Sequence, residues 1–228
     1  GPQVDLFEQR FVKYLGADTR EAVMVNSGSS ADYVAMLAAI QLKYLQPGDE
    51  VLMPAVTWPS QAWACILAGL DVRLVDIDIL TLQIDPNLIE AAIGPKTKAI
   101  FVTHLMGGAA DLDAILSIAT RRGLWIFEDC CEALGASYDG RKVGTFGLAG
   151  CYSFFHSHHL TTMEGGMIVA APEFADACRM IRAHGWVRDQ RHRAERDDSR
   201  YRFIGPGLNF RPGEIHGAFG LVQLEKLD

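Results

Sequence analysis

Ala22-Val23-Met24-Val25-Asn26-Ser27-Gly28-Ser29-Ser30-Ala31 is an apolar run that breaks into four small residues and re-emerges in a helical pattern. Residues 22–26 predict a buried strand. Beyond the break, Ala31, Val34, Ala35, Ala38, Ala39 and Leu42 recur at the three- and four-residue spacing of one helix face. A strand that feeds a small-residue turn and a helix N-terminus aims free backbone N–H groups and the positive end of the helix dipole at one point, which suits a phosphate. An ordinary N-cap at Ser29 or Ser30 accounts for the same residues.

Outward from this unit the pattern repeats. Upstream, Val4, Phe7, Phe11, Val12 and Leu15 mark a helix that stops at Gly16. Downstream, strands are expected at 50–55, 72–77, 98–105, 124–130, 151–155 and 166–170. Helices are expected at 60–68, from Asp85-Pro86, at 111–122 before Gly123, from Pro172 to about His184, and from Gly213 onward; 140–150 reads as a glycine-punctuated loop. Alternation of this kind predicts an α/β fold of three layers, αβα, around a seven-stranded, mostly parallel sheet.

Composition narrows the function. Acidic residues outnumber basic ones by 28 to 21, which argues against a nucleic-acid partner. No uninterrupted apolar run is long enough to span a membrane, and Asp5, Glu8, Arg10 and Lys13 break up the first residues, so neither membrane association nor a leader is expected. Cys65, Cys130, Cys131, Cys151 and Cys178 form no CxxC pair and read as reduced, buried thiols of a cytoplasmic protein.

Ligands of open α/β sheets sit outside the C-terminal ends of the strands. Trp58 falls just past one such end, where an indole can lie against an aromatic ligand or simply fill the core. Glu128 and Asp129 end the fifth strand; a carboxylate there can cap the next helix or hold a heterocyclic nitrogen protonated. The sixth strand delivers three imidazoles in four positions, His156, His158 and His159, ahead of Glu164-Gly165-Gly166. The nearest lysines in sequence are Lys142 and Lys226, so a base presented by this loop is an imidazole. A metal site of His156, His158 and Glu164 is the rival arrangement. Between Arg188 and Arg202 six arginines face four carboxylates, which reads as a solvated loop or one that meets a phosphate-bearing substrate.

Taken together, S-G-S-S (27–30), P-A-V-T-W-P (54–59), F-E-D-C-C-E (127–132), G-R-K-V-G-T-F-G (140–147), S-F-F-H-S-H-H-L-T-T-M-E-G-G (153–166) and Q-L-E-K-L (223–227) make the chain resemble the DegT/DnrJ/EryC1/StrS family of pyridoxal-phosphate sugar aminotransferases. The resemblance runs from Val4 to Asp228. It implies that residues 1–228 form the large cofactor-binding domain of the fold type I aminotransferase architecture, cut short before the small C-terminal domain of such proteins. Gly1-Pro2 reads equally as native sequence or as a vector remnant.

One position departs from the aminotransferase pattern, because His158 stands where those enzymes carry the lysine that tethers the cofactor. Residues 157–166 and R-A-H-G-W-V-R (182–188) resemble instead the histidine-containing 3-dehydratase branch. A second histidine branch binds an iron-sulfur cluster through cysteines after the G-W-x-R region; no cysteine follows Cys178, so no cluster is expected. The resemblance implies pyridoxal or pyridoxamine 5'-phosphate as cofactor, with L-glutamate regenerating the amine form. The substrate would be a nucleotide-linked 4-keto-6-deoxy sugar that loses its C3 hydroxyl, for a deoxysugar of lipopolysaccharide type. His158 is then the catalytic base. Asp129 pairs with the ring nitrogen, Trp58 covers the ring, Gly28, Ser29 and Ser153 take the phosphate, and Glu132 lies at the ring's functional edge. Asn209 reaches the phosphate from a second subunit of a homodimer, and His184 and Arg188 contact substrate across the same interface. His156 and His159 are structural. A nucleotide-sugar 4-aminotransferase-like protein and a non-catalytic cofactor binder are the alternatives.

Overall fold

In the computed structural model, which describes residues 1–191 and 201–227, each small-residue or proline break of the sequence falls at an element boundary. The elements are α1 (Pro2–Leu15), β1 (Glu21–Val25), α2 (Gly28–Gln41), β2 (Glu50–Pro54), α3 (Pro59–Leu67), β3 (Asp71–Val75), α4 (Pro86–Ala92) and β4 (Thr97–Thr103). They continue as α5 (Leu112–Arg122), β5 (Trp125–Asp129), β6 (Ser137–Tyr138), β7 (Arg141–Lys142), β8 (Ala149–Ser153), β9 (Gly166–Ala170), α6 (Pro172–Ile181) and α7 (Glu214–Leu224). Asp85 and Asp111 cap α4 and α5 by accepting N–H bonds from Asn87 and Ala114. Gly16 and Gly123 close α1 and α5 in the left-handed conformation, φ 64° and 65°.

The seven-stranded sheet has the order β1-β9-β8-β5-β4-β2-β3, and only β9 runs against its neighbours. Side chains alternate between two cores. On one face Val23, Val25, Phe101, Phe127, Cys151 and Ile168 pack under α2, α3 and α6. On the other, Ala22, Met24, Tyr152 and Met167 meet α1 and α7, where Phe7, Phe11, Tyr152 and Phe154 contact edge to face or tilted. This is the expected three-layer αβα fold with a mostly parallel sheet. Among the described residues no helix is long and apolar enough to cross a membrane.

Several details correct the expectations. The helix after the first strand begins at Gly28, and its cap is Ser27, whose hydroxyl accepts the Ser30 N–H at 3.1 Å; neither Ser29 nor Ser30 is the N-cap. The supposed loop at 140–150 contains one strand of the β6–β7 hairpin, whose turn places Asp139 and Gly140 at positive φ, and the start of β8. Helix α6 stops at Ile181 rather than near His184, because His184 itself takes a left-handed φ of 63°. Of the five thiols all are free, but Cys131 is only partly buried. Residues 192–200 of the arginine-rich segment lie outside the described residues.

Because β9 is reversed, the loop 154–165 leaves and re-enters the sheet at one edge, with Gly166 opposite both Ser153 and Val25. The histidine loop is thereby set beside the Ser27–Gly28 turn. Glu8 braces this corner from behind. It is buried and accepts bonds from the Met24 N–H (2.8 Å), Arg182 (2.9 Å) and Arg191 (2.8 Å), tying α1, β1 and α6 together.

Candidate active site

At the C-terminal edge of β4, β5 and β8 lies a cavity of about 400 Å³. Ser27, Gly28 and Ser29 contribute the start of α2, Trp58 and Ser60 the start of α3, and Thr103, Asp129, Cys131, Glu132 and Ser153 the strand ends. Phe155, Ser157, His158 and Glu164 come from the histidine loop.

The approach of α2 to β8 requires glycine at 28. A Cβ there would stand 2.6 Å from Ser153 Cβ, 3.0 Å from its Oγ and 3.1 Å from Cys131 Sγ. The contact brings the start of α2 against the Ser153 hydroxyl, and the first N–H groups of a helix suit an anion.

Trp58 is 67% exposed, so the core-packing explanation of this residue does not hold. Its position at the start of α3 is fixed by its neighbours. The Thr57 and Thr103 hydroxyls both donate to Gln61 Oε1, at 2.7 and 2.9 Å, and the Gln61 amide donates to the Phe101 carbonyl at 3.2 Å. This anchor was not read from the sequence, where Thr57, Gln61 and Thr103 carry no common pattern.

Adjacent strand residues Glu128 and Asp129 face opposite sides of the sheet, and their pKa values shift in opposite directions. Glu128 accepts N–H bonds from Gly144 (2.7 Å), Phe146 (2.7 Å) and Gly147 (2.6 Å), and lies 3.1 Å from His104 Nε2. Since His104 Nδ1 accepts the Ala110 N–H, Nε2 is the donor to Glu128. Burial pushes the Glu128 carboxyl upward, but the bonds from His104, Gly147 and Gly144 outweigh it and hold the pKa below the ordinary glutamate value. Glu128 is a buried anion that clamps the 144–147 turn. His104, Glu128 and Cys130 are the one close grouping of three possible metal donors among the described residues, and both His104 nitrogens are already engaged.

Asp129, in contrast, accepts a bond from the Cys131 N–H at 3.0 Å and lines the cavity. Burial raises its pKa against that bond. A desolvated carboxylate at a cavity wall is stabilised by a cation, such as a protonated ring nitrogen. Phosphate-accepting N–H groups, an exposed indole and this carboxylate together suit a flat, phosphorylated heterocycle.

His158 is half-buried in the same cavity, and its backbone N–H donates to the Phe155 carbonyl at 3.1 Å. Desolvation holds its imidazole below the usual histidine range, opposed by the Glu132 carboxylate and reinforced by His159. It is therefore a neutral base at neutral pH. Glu132 is oriented by the Met106 N–H, which donates to Oε2 at 3.0 Å from a residue with φ 52°. His156 and His159 are exposed and do not line the cavity.

Asn209, His184 and Arg188 lie outside this cavity. Asn209 is exposed and bridges Ala183 in a short antiparallel contact. Arg188 stacks on Trp186, 3.9 Å from the ring centre, with its Nε 3.1 Å from Asp189. Of the site residues expected from the sequence, the single chain brings together Gly28, Ser29, Trp58, Asp129, Glu132, Ser153 and His158, and leaves these three on the surface.

A three-layer sheet with one reversed strand, carrying a cavity of this kind at its C-terminal edge, is the large-domain architecture of the pyridoxal-phosphate aminotransferase-fold enzymes. The chain belongs to the DegT/DnrJ/EryC1/StrS aminotransferase family, whose family model matches residues 1–228. It is 40% identical over 238 residues to a GDP-4-keto-6-deoxy-D-mannose 3-dehydratase of Yersinia pseudotuberculosis, covering 100% of this chain and 60% of that protein. The solved Escherichia coli GDP-4-keto-6-deoxy-D-mannose-3-dehydratase with bound hydrated PLP superposes with a TM-score of 0.92 at 39% identity, over 100% of this chain and 61% of that one. A GDP-4-keto-6-deoxymannose-3-dehydratase with a trapped PLP-glutamate geminal diamine gives 0.94 at 39% identity, with the same coverage. The chain thus spans about three-fifths of the length of these relatives.

Proposed function

We propose that this chain is the cofactor-binding part of a pyridoxamine-phosphate-dependent 3-dehydratase that removes the C3 hydroxyl of a nucleotide-linked 4-keto-6-deoxyhexose, with L-glutamate as amino donor. The observation that carries the reading is the cavity's own base: a half-buried, neutral His158 faces it together with Asp129 and Trp58, and no lysine is among its lining residues. Relatives named as GDP-4-keto-6-deoxy-D-mannose 3-dehydratases, one with PLP and glutamate in its site, support the cofactor, the amino donor and a GDP-linked sugar.

When bound, the cofactor supplies an electron-accepting ring and an amine able to condense with the substrate's 4-keto group. The protein's own residues do the rest. The Gly28 and Ser29 N–H groups and the Ser153 hydroxyl hold the phosphate. Asp129 would hold the ring nitrogen protonated by charge pairing. Trp58 covers one face of the ring and displaces water from it. His158 Nδ1 or Nε2 would take a proton from the carbon beside the ring and pass it to the departing C3 hydroxyl, which leaves as water; Glu132 would stabilise the imidazolium formed in between. A lysine would capture the cofactor covalently, whereas an imidazole moves protons and leaves it free. Asn209, His184 and Arg188 act across a homodimer interface, which accounts for their exposure in one chain. The setting is a cytoplasmic pathway to a deoxysugar of lipopolysaccharide type.

The test is to offer the full-length protein GDP-, CDP- and dTDP-linked 4-keto-6-deoxyhexoses with pyridoxal phosphate and glutamate. Deoxygenated sugar and 2-oxoglutarate are expected. An aminated sugar would establish an aminotransferase, and failure to form 2-oxoglutarate would leave a cofactor binder without catalysis.

A further inference from the structure

Asp32 is an acid in a place where a helix buries its apolar side. It sits one turn into α2 next to Ala31, Val34 and Ala35, is 1% exposed, and its Oδ1 has no hydrogen-bond partner among the described residues. Its other contact is the Cys151 thiol, a weak donor. In the register of the sheet Cys151 lies opposite Asp129, and Cys151 and Phe127 both pack beneath α2. Asp129, two residues after Phe127, projects to that same side. Two carboxyls, one from the helix and one from the strand, thus lie on the same side of the sheet, Asp129 at the cavity wall and Asp32 buried under α2.

Two negative charges so placed repel, and one proton removes most of the cost. Their hydrogen bonds differ. Asp129 receives a backbone N–H from Cys131, which favours its ionised form. Asp32 receives only a thiol. The other titratable groups facing Asp32 are Cys65 from α3, Cys130 and Cys131 after β5, and Cys151 on β8. Burial pushes all four thiols upward, so they stay neutral and compensate nothing. We propose that Asp32 and Asp129 form an electrostatically coupled carboxyl pair in which Asp32 stays protonated and Asp129 carries the charge, making Asp32 a positioning residue that leaves Asp129 as the single anion facing the ring nitrogen. Desolvation and the Asp129 charge both act on Asp32 in the direction this requires.

The inference rests on the role given to Asp129 above, and the two fail separately. A carboxyl whose folded pKa exceeds its unfolded value of about 3.9 makes the folded state hold an extra proton, so its contribution to stability falls as pH rises. Melting of the full-length, cofactor-free protein is followed from about pH 4 to about pH 9. The Asp32→Asn protein is expected to melt higher than wild type at neutral and alkaline pH, by roughly 3 °C or more, with the gap closing toward about pH 4. Placing both proteins in an Asp129→Asn background should narrow the gap, because the repelling charge is gone. Independently of any variant, infrared spectra of the wild-type protein at neutral pH should show a protonated-carboxyl stretch. A gap that does not change with pH, a gap unaffected by Asp129→Asn, or the absence of that stretch would each overturn the pair. Undiminished pyridoxal-phosphate binding by Asp129→Asn alone would instead remove the cofactor role of Asp129.

Discussion

Replacing Gly28 by alanine isolates the anion cradle. Gly28 is helical, so alanine costs nothing in backbone conformation and gains up to about 1 kcal/mol in helix propensity. The added Cβ, however, would stand 2.6 Å from Ser153 Cβ, roughly 0.9 Å inside the 3.5 Å at which carbon atoms first sit comfortably. A Cβ does not move by rotamer change, so the start of α2 must withdraw from β8 by about that distance. Overpacking of this kind costs about 1–3 kcal/mol, which the propensity gain partly offsets, leaving a small change in melting temperature. The cofactor feels the whole displacement. A shift of nearly 1 Å breaks one or two charge-assisted N–H bonds to phosphate at about 1.5–3 kcal/mol each. Affinity for pyridoxal phosphate should therefore fall at least tenfold, and more than about a hundredfold if both bonds go. Fluorescence titration of the Gly28→Ala protein, with melting followed in parallel, measures both effects. Binding within twofold of wild type would refute the placement of the phosphate at this turn.

Further outcomes follow from the charge states. The rate should rise through a pKa below the free-histidine value of about 6.5, since His158 acts as the neutral base and burial depresses it. Removing the opposing carboxylate by Glu132→Gln should move that acid limb of the kcat/KM profile to still lower pH; an unmoved limb would detach the titration from His158. Glu128→Gln turns an amide toward N–H donors that need an acceptor, and should cost on the order of 3 kcal/mol in denaturant unfolding. Because Glu128 titrates below its ordinary value, its contribution is present above the unfolded pKa and lost as pH falls toward the folded one, so the variant and wild type should converge in acid. Borohydride treatment of the loaded protein should leave the polypeptide mass unchanged, and a mass gain equal to the cofactor would show a covalent tether.

The sheet is legible because most strands are short apolar runs, the first of them broken by the small residues Ser27–Ser30, and the site because its residues follow those runs directly. The rule that ligands meet strand ends placed Trp58, Asp129 and His158 at one edge, while their roles came from the family resemblance. What escaped reading depends on partners distant in sequence. Glu8 looks like a surface acid of an amphipathic helix until Arg182 and the Met24 N–H are brought to it. His104 carries no pattern of its own in the sequence, and the bonds that Glu128 makes to it and to the 144–147 turn join segments far apart in the chain. Asp32 interrupts an otherwise apolar helical face, the one signal that could have marked it in advance. The Ser27 cap was missed by two or three positions because serines flank Gly28 on both sides, and only the extended backbone of Ser27 decides among them.

The reversed strand β9 has an evolutionary corollary. Since the segment bearing residue 158 departs from and returns to one rim of the sheet, its interior can be rewritten without displacing any strand or helix. On the reading proposed above, exchanging a tether for proton transfer requires edits to that single hairpin alone, with the Gly28 turn and the Trp58 indole left in place. Diversity of reaction is then a property of that hairpin, and permanence of coenzyme a property of the framework around it.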